Sequence, residues 1–139
     1  MTIADPISPA FALAYSTLHG DATLMSLITG VYRYVAAAGT APDFCIIAAQ
    51  SATDTNGGTG VRLLTRALFQ VKITGPVSDM PNILTAYARA DTLLQPNGAP
   101  LRNVDNTLAC FREQALDYGE VRQDGALWAH HGGLYRIEV

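Results

Sequence analysis

The chain has 139 residues, a formal net charge of -3 and 15% charged side chains against 49% hydrophobic ones. That length fits a single domain, 1–139, burying roughly two-thirds of the surface the unfolded chain exposes, so a core forms without disulfide or metal staples. The acidic balance excludes the clustered basic excess of a nucleic-acid binder, and a surface so poor in charge points to cover by other protein, self-association first.

In chain order, "ISPAFALAYSTLHG" offers Ser8 as N-cap and Pro9 at the first helical position, with Phe11, Ala14, Tyr15 and Leu18 on one stripe and Gly20 as the stop. Asp21 caps a second short helix, in which Leu24, Leu27 and Ile28 repeat at helical spacing before Gly30. "VYRYVAAAGTAPD" reads as a short extended piece and a loop. "FCIIAAQSA" is a compact apolar run whose length favours a strand. From 61 to 74 the alternation is the clearest in the chain. Val61, Leu63, Thr65, Ala67, Phe69, Val71 and Ile73 form one face, and Arg62, Leu64, Arg66, Leu68, Gln70, Lys72 and Thr74 the other. One face is core and the other mixed, which predicts a strand exposed to solvent or to a partner.

After "GPVSD", Ser78 or Asp79 caps a helix with Pro81 in its first turn and Met80, Ile83, Leu84, Tyr87, Ala90 and Leu94 on its apolar stripe. "QPNGAP" turns the chain, and strands follow at about 103–115, 117–123 and 132–139. The order implies an α+β fold, an antiparallel (mixed) sheet with helices packed on one face.

Candidate chemistry is sparse. In "NGGTG" the last glycine leads into Val61 and a strand, where a phosphate loop needs lysine, a hydroxyl residue and a helix, so a connection between strands is the better reading. His130 and His131 are adjacent on a strand and point to opposite faces, which bars joint chelation of one ion. Glu113, Asp117, Glu120 and Asp124 fall near strand ends and turns, as partners for arginines or a solvated rim. Cys45 and Cys110 lie far apart in apolar stretches, which predicts two buried free thiols in an intracellular protein. Lys72 is the lone lysine beside eight arginines, a bias that suits interfaces and equally a GC-rich genome. No leader or apolar span is legible, and no enzyme, cofactor or metal site is expected.

The opening "LMSLITGVYRY", the extended "PDFCIIAAQSATDTNGGTG", the strand "VRLLTRALFQVKI", the helix "ILTAYARADTLL" and the ending "GGLYRIEV" together resemble the tail-terminator, or tail-completion, proteins of long-tailed bacteriophages. The resemblance spans most of the chain, from about residue 11 onward. It implies a structural virion protein, assembled in the host cytoplasm, forming a ring, commonly a hexamer, on the head-proximal end of the tail tube. Its partners would be its own copies, the tail-tube protein and the head connector or head-closure protein, with DNA passing through the lumen without specific binding and no membrane involved. On this reading Arg62, Leu64, Arg66, Leu68 and Lys72 belong to the assembly interface, strand 61–74 contributes to it by edge pairing or side-chain packing, and Thr55, Asn56, Gly57, Gly58, Thr59 and Gly60 form a flexible assembly loop. The alternatives are a head-closure or connector component of the neck, or a small α+β ligand-binding module or enzyme.

Overall fold

The computed structural model describes residues 7–60, 62–95 and 109–138. Helix α1 (Ile7–His19) buries Ala10, Ala14 and Leu18, a stripe at four-residue spacing, and includes Ile7, so it starts ahead of the expected cap at Ser8. It ends at Gly20, whose N–H donates to the Ser16 carbonyl. Asp21 then caps α2 (Ala22–Met25), its carboxylate accepting from the Leu24 N–H at 2.8 Å. This helix is a single turn, shorter than the spacing of Leu24, Leu27 and Ile28 suggested.

The described residues form five strands, β1 (Val31–Arg33), β2 (Phe44–Asn56), β3 (Arg62–Pro76), β4 (Ala109–Val121) and β5 (Leu127–Glu138), in the sheet order β1-β2-β3-β5-β4. Of the strand pairs among the described residues, only β1 with β2 is parallel. A 3-10 turn (Val77–Asp79) leads from β3 into α3 (Met80–Leu94). The helices pack on one face of the sheet, where Cys45, Ile47, Phe69, Val71, Ile73, Tyr135 and Ile137 meet Ile83, Tyr87, Ala90 and Leu94. The fold is thus α+β with a mixed sheet.

Four differences from the sequence reading have local causes. From Arg66 to Pro76 strand β3 is central, held by β2 on one side and β5 on the other, so that stretch offers no edge for pairing with another chain. Residues 109–121 form one strand, not two: the hairpin turn falls at 122–126, closed by the Arg122 N–H on the Ala126 carbonyl at 2.9 Å. Leu63 is 69% exposed, because the sheet has narrowed to two strands at that point. Leu84 is 45% exposed, and Ala86 takes its place in the buried stripe of α3. The expected turn at 96–100, the start of a strand at 103–108 and the side chains of Val61 and Arg62 lie outside the described residues.

Candidate assembly surface

Two features of the sheet stand apart from the core. The first is an arm. β5 ends with Glu138 opposite Arg66, whereas β2 and β3 continue pairing as far as Asn56 with Arg62. The arm holds its register through the Thr65 hydroxyl, which donates to Asp54 Oδ1 at 2.7 Å. Of the six residues expected in a loop, Thr55 and Asn56 are the last of β2, and Gly57–Gly60 form a turn closed by the Gly60 N–H on the Gly57 carbonyl at 2.9 Å. What the composition marked as a loop is the end of a hairpin.

The second feature is the sheet face without helices. Leu64, Arg66, Leu68 and Lys72 all point to it, as alternation along β3 requires. Two arginines on this face are paired with carboxylates. Arg136 holds Glu113 with two bonds of 2.8 and 2.9 Å, and Arg66 Nε lies 3.3 Å from Glu138. The paired guanidinium keeps the Glu113 carboxyl below its usual range. Lys72 donates to the Tyr118 hydroxyl at 2.6 Å and lies beside that ring.

Where the face meets the loop after β1 there is a cavity of about 330 Å³ lined by Phe44, Lys72, Thr74, Glu120, Trp128 and His130, among others. Arg122 stacks on Trp128 at 3.5 Å, and Tyr118 lies parallel to the His130 ring at 4.6 Å. His130 Nδ1 is 3.1 Å from the Thr74 hydroxyl and Nε2 is 2.9 Å from Glu120. The order hydroxyl, imidazole, carboxylate is that of a nucleophile relay, yet Thr74 is 1% exposed and its hydroxyl hydrogen is committed to the Ala129 carbonyl. Burial, with Lys72 and Arg122 nearby, outweighs Glu120 and holds His130 below the ordinary histidine range. His131 faces the opposite side, edge-on to Tyr87. Among the described residues no three His, Cys, Asp or Glu side chains are placed to share a metal.

Sequence reasoning missed this cluster, although its members alternate visibly as Trp128 and His130 on β5 and Tyr118 and Glu120 on β4. It assigned Glu120 only as a generic rim carboxylate. Cys45 and Cys110 are buried free thiols, as expected, and burial pushes both up to about 12.

On the helix side, a polar network crosses the apolar layer. Tyr135 donates to Asp91 and shares a 2.8 Å bond with Tyr87, whose hydroxyl also accepts from Arg112 at 3.2 Å. It ties α3 to both β4 and β5.

With this geometry in hand, comparison with solved structures finds a chain from the virion of a native gene transfer agent (GTA) particle. It superposes with a TM-score of 0.68 at 19% identity over 91% of this chain and 90% of that one. The two chains share one fold. No protein-family model matches the sequence, and no curated protein does.

Proposed function

We propose that this protein is a structural component of a phage-like particle, a tail terminator that closes the tail tube with a ring of identical subunits. The observation that carries the reading is the shared fold with a virion chain over nine-tenths of both chains. It agrees with the resemblance of "LMSLITGVYRY", "VRLLTRALFQVKI" and "GGLYRIEV" to tail-terminator proteins. The ring is six-fold in this reading, sits at the head-proximal end of the tail, and presents one end to the tube and the other to the head connector.

Physical features support it. A chain with 15% charged residues suits burial between subunits. Residues Arg66 and Arg136 on the open face are neutralised by Glu138 and Glu113, which leaves little free positive charge to hold DNA that must pass. The exposed arm, with Leu64 and Leu63 near its tip, supplies contact area beyond the body of the subunit, and Leu68 and Lys72 extend that area along β3.

The test is the particle made without the protein. Overlong or unattached tails in electron micrographs are the expected outcome; full heads that leak, with tails of normal length, would move the protein to head closure and overturn the terminator reading.

A further inference from the structure

With β3 central, pairing between subunits falls to the strands that have a free side. Among the described residues these are the three-residue β1, β2 beyond it, the Arg62–Thr65 end of β3, and β4 at the other margin of the sheet; β2 and β4 offer the longest free runs. β1 covers only Cys45–Ile47 of β2, and the Tyr34 N–H on the Ile47 carbonyl is the last bond on that side. From Ala48 to Asn56 the outer backbone of β2 has no strand beside it among the described residues. We propose that neighbouring copies in the ring join this edge of one subunit to β4 of the next, antiparallel, so that the sheet continues from subunit to subunit.

Three observations carry this, and it rests on the ring reading above. First, the β2 edge has no guard beyond its two register shifts. Exposed edges are normally blunted by lysine, proline or inward charge, yet "AAQSATDTN" carries one charge, Asp54, already bonded to Thr65. Its run Ser51–Thr55, between two register shifts, is regular. Second, β4 brings few unmet charges to a joint: Glu113 is held by Arg136, and Glu120 by His130 and Arg122. Third, strand directions match. β2 and β5 run one way and β3 and β4 the other, so rotation about an axis along the strands sets each β4 antiparallel to the next β2. The contact joins two different patches, as a closed cyclic ring requires. A two-fold β2-to-β2 pairing would instead make a dimer and leave β4 open.

The experiment is disulfide trapping on the full chain. Thr53→Cys is combined in turn with Phe111→Cys, Gln114→Cys, Leu116→Cys and Tyr118→Cys, which all lie on the open face and sample four registers of the joint. The native thiols are buried and protonated, so they add no background. One register is expected to give, after mild oxidation, a reducible ladder from dimer up to the closed ring, with each single variant remaining a single-chain band. Rings seen by light scattering without a ladder in any register would overturn the joint while leaving the ring reading intact. Dimers from Thr53→Cys alone, with no higher species in any pair, would overturn it in favour of the two-fold pairing. A chain that is monomeric at every concentration, also beside tail-tube subunits, would overturn both. As a second arm, Ala52→Lys should lower the ring fraction at least tenfold while leaving the circular dichroism of the subunit unchanged; unchanged ring formation would count against the joint.

Discussion

Gly132 and Gly133 sit on β5 where a methyl group has no room. A Cβ on Gly132 would lie 2.0 Å from the Val71 carbonyl oxygen and 2.5 Å from the Lys72 Cα, both backbone atoms of β3, and one on Gly133 would lie 2.7 Å from the Tyr87 hydroxyl. Gly132→Ala should therefore cost about 3 kcal/mol or more in urea unfolding, since backbone of a central strand cannot step aside. Gly57→Ala is the matched control: its nearest neighbour would be Leu63 at 3.5 Å, an ordinary contact, and little change is expected. Asp21 gives a second prediction at this scale. Its bonds to Arg89, and to the Leu24 N–H, lower its pKa to about 2 from 3.8. A depressed carboxyl stabilises the fold above the unfolded value and loses that effect as pH falls through the folded one. The stability gap between the wild type and Asp21→Asn should thus be full above about pH 4 to 5 and shrink towards pH 2, read from unfolding curves at several pH values. A gap that stays constant over that range would mean the Arg89 pair contributes nothing through charge.

Between elements, the Tyr87–Tyr135–Asp91–Arg112 network is a polar tie between α3 and the sheet. Tyr135→Phe leaves the Tyr87 hydroxyl and the part-exposed Asp91 carboxylate with Arg112 as their remaining partner, and a buried polar group that loses a partner costs about 1–3 kcal/mol. Thermal unfolding should show a loss of that order, whereas a neutral result would mean water replaces the missing hydroxyl. The arm behaves differently. An isolated pair of strands is marginal in water, and the pairs beyond Arg66 have no third strand beside them among the described residues. Amides of residues 52–56 should exchange fast in the free subunit and residues 45–47 slowly, with protection of the arm rising on assembly. Unchanged arm exchange in the assembled state would make it a mere connector. At this scale the sequence was informative about spans: Gly20 as a stop, Asp21 as a cap, Pro81 in the first turn of α3 and the period of β3 all follow from local chemistry. It misled at residue 116, where a break between strands 103–115 and 117–123 was expected but Leu116 pairs opposite Gly132 within one continuous strand.

For the whole molecule, the balance of charge on the open face carries the prediction. Glu113→Gln with Glu138→Gln would free Arg136 and Arg66 from their partners. Each cation that neutralises a phosphate adds about 0.9 to the slope of log affinity against log salt, so the double variant should bind duplex DNA with a slope near 2 where the wild type shows almost none. Equal retention of DNA by both would mean this face does not govern passage. The sequence by itself determined which residues alternate, where helices are capped and that His130 and His131 part to opposite faces, because these depend on neighbours within a few positions. It also determined the class, α+β, and the scarcity of catalytic patterns. Only the tertiary structure decided that β3 lies in the middle of the sheet: one apolar and one mixed face is the same pattern at an edge or at the centre, and the choice rests on pairing with strands far along the chain. The same reason hid the Thr74, His130, Glu120 and Trp128 cluster, which comes from three strands, and left the free edges of β2 and β4 invisible until their neighbours were in place.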